Sequence, residues 1–304
     1  MSNYNRPIQL GMHTYTLHLH GLGESWGFSE DHTFEQSIDL FELMDRAVEW
    51  GLDGLHITNV DLVSLEPEHL AKVKKAAEDH GLYLEYNVSF NAPCDPRVNS
   101  TVKDALLNGK AMGADLVKFS LDIDRPHPIY GTCFDPDVMK QLSKRYDEFK
   151  ENLPLLDKLG LKMSLENHCD LYADEVIWLV DKLNNPNVGA CIDTMNSMNV
   201  LEGPEVCINK MAPYANCVHL CDLKLKVDPD GLHSIGSPIG QGDIDETKVL
   251  RTLREKSNVT RLTFEVESEI GDDTMEEARK KEMKACTDSI DYLRNTLNVG
   301  LKKR

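Results

Sequence analysis

The chain has 304 residues, 41% hydrophobic and 28% charged, with 51 acidic against 33 basic side chains and a formal net charge of -18. No apolar stretch approaches the ~20 residues of a membrane span, and the acid excess disfavours nucleic acid or an anionic membrane, whose binding depends on Lys and Arg neutralising phosphates. A soluble protein acting on a small molecule is expected, and the start MSNYNRPIQLG lacks the pattern of an export signal, which predicts a cytoplasmic location.

In chain order, apolar β-rich runs begin near residues 8, 54, 83, 115, 162, 188, 216 and 261, each followed by an amphipathic helical stretch. Gly51, Gly81, Gly113 and Gly160 each sit where a helix stops and a strand begins, the position of a left-handed cap. Starts are marked as well. Thr33 with Gln36 reads as a capping box, Asp135 followed by Pro136 as an N-cap and first helical residue, and Gly203 followed by Pro204 similarly. Eight such units predict a (β/α)8 TIM barrel occupying residues 1–304 as a single domain. The competing open, doubly wound sheet lacks its usual support, because no GxGxxG follows the first strand. Two connections are long, Thr14 to His32 after the first strand and Lys224 to Asp245 after the seventh. Eight cysteines without a CxxC pair read as reduced, mostly buried thiols. Cys217 and Cys221 share a strand face but lie too far apart along it for one compact thiolate zinc site.

The chemistry is carried by Glu166, Asp193, His219 and Glu265, which end the apolar runs LKMSLEN, NVGACIDT, ANCVHLCDL and RLTFEVES. Their spacings of 27, 26 and 46 residues match successive strand-plus-helix units, so they fall at equivalent points around a barrel mouth. A single acid at a strand end is most often a solvated loop group, and a lone strand histidine a satisfied core residue. Four in register are different. Three converging carboxylates repel one another unless a cation lies between them, and oxygen donors plus one imidazole suit octahedral Mn2+, the favoured ion, with Co2+ or Mg2+ as alternatives. Glu267 shares the strand parity of Glu265, so spacing alone allows either to point inward. His168 shares the parity of Glu166 and is a general acid/base candidate or an orienting group; His13, at the end of the first strand, is a candidate substrate contact. Lys118, Arg125, Lys224 and Lys226 fall near the open face and read as solvated surface groups, so phosphate recognition is not expected.

The sequence resembles the xylose-isomerase-like barrels, the sugar phosphate isomerase/epimerase superfamily. The matching pieces are Glu-Asn-His at Glu166 to His168, Asp-x-x-Asn at Asp193 to Asn196, His-x-x-Asp at His219 to Asp222, Pro-Ile-Gly-Gln-Gly-Asp-Ile-Asp from Pro238 to Asp245, and Glu265 on the last strand. The resemblance implies Glu166, Asp193, His219 and Glu265 as metal ligands, favours Glu265 over Glu267, and places His168, Asp222 and Gln241 nearby. It implies proton abstraction beside a sugar carbonyl, with Glu166 and Glu265 exchanging protons on opposite faces in an epimerase. The first long loop supplies His18, His20, Trp26 and Phe28, whose aromatic rings suit stacking on a sugar or aglycone. That loop also resembles the catalytic subunits of bacterial C-glycoside deglycosidases, which cleave 3-oxo-glucosides by β-elimination with a small partner subunit. There His168 would be the base. The primary expectation is a sugar isomerase or epimerase and the alternative such a lyase, either as a homo-oligomer or with a small partner. A metal-dependent endonuclease or a silent barrel subunit follows less well, since the first needs a basic groove and the second no carboxylate cluster.

Overall fold

A computed structural model describes residues 6–25, 34–125, 132–229 and 231–301. Eight parallel strands close into a barrel: β1 (Gln9–His13), β2 (Gly54–Thr58), β3 (Tyr83–Ser89), β4 (Leu116–Ser120), β5 (Lys162–Glu166), β6 (Val188–Asp193), β7 (Ala215–Leu220) and β10 (Arg261–Phe264). The last strand pairs with both β7 and β1, which completes the ring. A helix follows each barrel strand: α1 (Leu40–Glu49), α2 (Pro67–His80), α3 (Val102–Ala111), α4 (Pro136–Leu159), α5 (Ala173–Leu183), α6 (Pro204–Met211), α7 (Glu246–Lys256) and α8 (Met275–Asn295).

The caps behave as the sequence predicts, with one exception. Gly51, Gly81, Gly113 and Gly160 all have positive φ, where a side chain is strained. The Asp135 carboxylate accepts from the Asp137 amide ahead of Pro136, and Gly203 precedes Pro204 at the start of α6. The first helix, however, starts at Leu40 under an Asp39 cap that accepts from the Glu42 amide, later than Thr33 and Gln36 suggest. Thr33 itself lies outside the described residues. The connection after β7 is more ordered than a loop: β8 (Asp222–Asp228) and β9 (Gly231–Ser237) form an antiparallel hairpin.

The strands alternate in an unusual sense. Leu10, Met12, Leu55, Ile57, Val117, Phe119, Leu165, Ile192, Val218 and Phe264 are buried in the main apolar cluster beneath the helices. Their neighbours one residue away, His56, Glu85, Lys118, Ser164, Cys191, Cys217 and Thr263, are just as buried but face the lumen. Barrel lumens are commonly filled by branched apolar side chains. Here the apolar area that drives folding lies between sheet and helices, and the lumen is lined with polar and ionisable groups.

Candidate metal centre

Strand register brings the predicted residues together. Glu166 ends β5 opposite Cys191, and Asp193 ends β6 directly opposite His219 of β7. His219 pairs with Thr263, two residues before Glu265. Ligand atoms of Glu166, Asp193 and His219 lie within 4.8 Å of one another, as do those of Asp193, Cys221 and Glu265. His219 Nδ1 sits between two acids, 3.1 Å from Glu166 Oε1 and 3.5 Å from Glu265 Oε2. The cavity over them is also lined by His13, Tyr15, Glu24, Lys118, His168, Cys169, Asn196 and Glu267.

Local hydrogen bonds hold the carboxylates in place. Asp193 Oδ1 accepts the amides of Met195 and Asn196, both at 2.7 Å, and the Cys221 thiol lies 3.1 Å from Oδ2. Asn167 ties β5 to β6 by accepting the Asp193 amide at 2.7 Å and donating to the Asp193 carbonyl at 3.0 Å. Thus Glu-Asn-His combines an inward acid, a strand clamp and a cavity-lining histidine.

Lys118 differs most from expectation. Far from being a solvated surface group, it is 2% exposed and donates to Glu166 Oε2 at 2.6 Å and to Ser120 Oγ at 3.0 Å. Arg125 is likewise buried against Glu175, whereas Lys224 and Lys226 are exposed. A basic residue on an apolar strand carries little in its sequence context to show inward burial; its parity with Ser120 and the absence of a turn nearby are the available signals. Sequence reasoning also missed Glu24. Its Oε1 accepts from Asn87 at 2.8 Å, while Oε2 is buried without a hydrogen-bond partner.

The electrostatics follow from this crowding. Burial opposes the charged form of Glu166, but Lys118 and His219 outweigh it and hold its carboxyl well below the usual range. Burial, then the nearby Glu166 charge, raises Asp193; burial, with Asp193 and Glu267 against the relief from His219, raises Glu265 well above its ordinary value. Glu267 is pushed up to about 8 by burial and by Asp193 and Glu269. Acids that resist ionising together because they lack a counter-charge fit a divalent cation among Glu166, Asp193, His219 and Glu265.

Other candidates divide. His13 is 2% exposed and lines the cavity; its Nδ1 accepts from the Tyr15 amide at 3.1 Å and lies 3.9 Å from Glu265 Oε2. His168 also lines the cavity. Asp222 does not: its carboxylate is occupied by the amides of Leu223, Gly240, Gly242 and Ile244, and so shapes the 238–245 loop. Gln241 points away, with Nε2 3.5 Å from Asp288 Oδ2. Neither residue lines the cavity. Trp26 and Phe28 lie outside the described residues. His18 and His20 face Glu282 and Ser37.

Glu282 of α8 anchors the segment after β1, accepting the Leu19 amide at 3.0 Å, and burial pushes its carboxyl up to about 8. The fold therefore retains a proton that the unfolded chain releases above about pH 4.3. Its contribution is complete below that pH and is lost as pH rises through about 8. Glu282→Gln, which imitates the protonated form, is expected to flatten the fall in melting temperature over that window. Superimposable pH profiles for variant and wild type would contradict this.

The chain belongs to the xylose isomerase-like TIM barrel family, whose model matches residues 44–295. It is 32% identical over 256 residues to the uncharacterised Escherichia coli (strain K12) protein YihM, covering 83% of this chain and 72% of that one. Among solved structures it is similar to a D-psicose 3-epimerase studied in the presence of D-fructose, with a TM-score of 0.65, 16% identity, and coverage of 95% and 99% of the two chains. A xylose isomerase-like barrel protein from Mycobacterium smegmatis in complex with magnesium gives a TM-score of 0.60 at 18% identity over 95% and 99%. Among the described residues, no helix is long and apolar enough to cross a membrane.

Proposed function

We propose that the protein is a divalent-metal-dependent enzyme that isomerises or epimerises a small sugar by removing a proton from the carbon beside a carbonyl. The observation carrying this reading is the convergence of Glu166, Asp193, His219 and Glu265 at the C-terminal ends of four adjacent barrel strands, beneath a cavity. The epimerase likeness supports the substrate class. Mn2+ is the ion we favour for three carboxylates and one imidazole, and when bound it supplies Lewis-acid stabilisation of negative charge developing on the substrate carbonyl oxygen.

The protein's own groups divide the remaining work. Glu265 faces the cavity beside His219, with Oε2 3.5 Å from His219 Nδ1. It is our candidate for accepting the proton from carbon. Glu166 has Oε2 held by the Lys118 ammonium, which fixes the carboxylate and leaves Oε1 toward His219. The second proton exchange, on the opposite face of the substrate, falls to Glu166 or to His168. Glu24, Glu267 and Asn196 line the cavity and offer hydrogen-bond partners to hydroxyl groups.

The test is isotopic. Metal-loaded protein incubated in deuterated water with free ketoses should introduce solvent deuterium at the carbon beside the carbonyl. Exhaustive chelation should abolish the exchange and Mn2+ restore it. Release of aglycone from a 3-oxo-glucoside without exchange into ketoses would instead indicate β-elimination, and full exchange after chelation would refute metal dependence.

A further inference from the structure

Beneath the carboxylate cluster the lumen holds a second set of ligand-type side chains, which the proposed reaction leaves unused. His56 on β2, Glu85 on β3 and Cys217 on β7 are 0%, 2% and 3% exposed. One ligand atom from each lies within 4.8 Å of the other two. Their strand neighbours Leu55, Ile57, Leu84 and Val218 are buried on the opposite face of the sheet, which fixes the three side chains inward.

Their donors and acceptors do not match as a hydrogen-bonded network. His56 Nδ1 faces Glu85 Oε2 at 3.3 Å and His219 Nε2 also at 3.3 Å, while Cys217 Sγ lies 4.0 Å from the same Glu85 oxygen. His56 Nε2 is buried with no hydrogen-bond partner. A ring nitrogen carries either a proton or a lone pair. With a proton, His56 Nδ1 satisfies Glu85 but opposes His219 Nε2, which bears the proton when Nδ1 serves the upper site. With a lone pair, it accepts from His219 but opposes the Glu85 carboxylate. With Glu85 ionised, either assignment leaves one close contact unfavourable.

A cation where the nitrogen, oxygen and sulfur lone pairs meet relieves the contact between the His56 lone pair and the Glu85 carboxylate. Tetrahedral bonds of about 2.0–2.1 Å to nitrogen and oxygen set those atoms about 3.3 Å apart. The His56–Glu85 separation is 3.3 Å. Cys217 Sγ stands 4.0 Å from Glu85 Oε2, a few tenths of an ångström beyond the roughly 3.6 Å expected from a zinc–sulfur bond of about 2.3 Å. Outer contacts are also in place: Thr263 Oγ1 lies 3.3 Å from Glu85 Oε2, and Arg261 Nη1 lies 3.5 Å from Oε1. Mixed nitrogen, oxygen and thiolate donors suit Zn2+ rather than Mg2+ or Mn2+.

We infer that the barrel lumen holds a second metal site, of the Zn2+ class, formed by His56, Glu85 and Cys217 with one further coordination position. It ties β2 and β3 to β7 across the barrel and lies below the proposed catalytic ion, and it rests in part on that ion, which sets the His219 tautomer.

Cobalt(II) titration of the metal-free full chain tests this, since a thiolate ligand gives a near-ultraviolet charge-transfer band. Wild type should bind two equivalents, one of them with that band. Cys217→Ser should lose the band and one equivalent, whereas Cys286→Ser, altered in the outer apolar layer, should keep both. Glu166→Gln should keep the band even where turnover is lost, which separates this site from the proposed reaction. If Cys217→Ser does not fold, zinc content decides: two equivalents in wild type and one in His56→Gln support the site, and equal content overturns it. A wild-type protein without the band, or a band that persists in Cys217→Ser, also overturns it.

Discussion

Glu166→Gln and Glu265→Gln are each expected to lower turnover by about 1,000-fold or more, the range for losing a proton-transfer group together with charge stabilisation at the reacting centre. Both substitutions keep side-chain volume and neither residue supports the outer apolar layer, so the barrel should still form, although Glu166→Gln leaves the buried Lys118 ammonium without its counter-charge and should lower the melting temperature. The losses differ in kind. Glu166→Gln keeps a neutral oxygen near Lys118 but removes its charge, so weakened metal binding should accompany lost turnover. Glu265→Gln removes the group proposed to accept the proton from carbon, so more of its effect should persist at saturating metal. Steady-state rates across a metal titration, with melting temperatures as a fold control, would show this. Turnover near wild type in both variants would remove the pair from the mechanism.

The second large effect is expected at Lys118. Its ammonium and the Glu166 carboxylate are each 2% exposed and 2.6 Å apart. Two charges in such a place are costly to desolvate and stable mainly through one another, so removing one partner leaves the other uncompensated, at a cost of about 3–5 kcal/mol. Lys118→Met should therefore lower the melting temperature of the metal-free protein by roughly 5–10 °C for a chain of this size. Metal addition distinguishes this charge effect from lost packing. A divalent ion supplies positive charge beside Glu166 and should stabilise the variant more than wild type, and Glu166→Gln in the variant background should recover part of the loss. A metal-free Lys118→Met protein as stable as wild type would show that the pair contributes nothing.

The sequence is informative where one residue type has one physical use. Glycine after a helix and Asp135 before Pro136 each have few alternative explanations, and four ligand-type residues in register outweigh the solvated reading of any one, so strand count and the convergence of Glu166, Asp193, His219 and Glu265 are readable from pattern. It is less informative where a side chain has two common environments. Lys118 fits a solvated rim as well as a buried pair, and only its partner 48 positions away decides. Asp222 fits a substrate contact as well as a loop organiser, and the amides that claim it come mostly from a loop about 20 residues later. The β8–β9 hairpin was legible in principle: Leu223, Leu225 and Val227 alternate before an Asp-Gly step at positions 230 and 231, a recognised turn signal. Thr33 and Gln36 show the converse, a valid local capping motif that does not start the first helix, which Asp39 caps instead.

The inward-polar, outward-apolar alternation has a consequence for how such a molecule can change. Since the residues that close the cylinder are the ones beneath its helical jacket, the inner wall contributes through matched charges rather than through apolar packing. Reactive groups there can be exchanged one for another without dismantling the scaffold, provided their charges remain balanced. New chemistry is thus accessible by rewriting a handful of lumen positions, with the outer layer left as it stands.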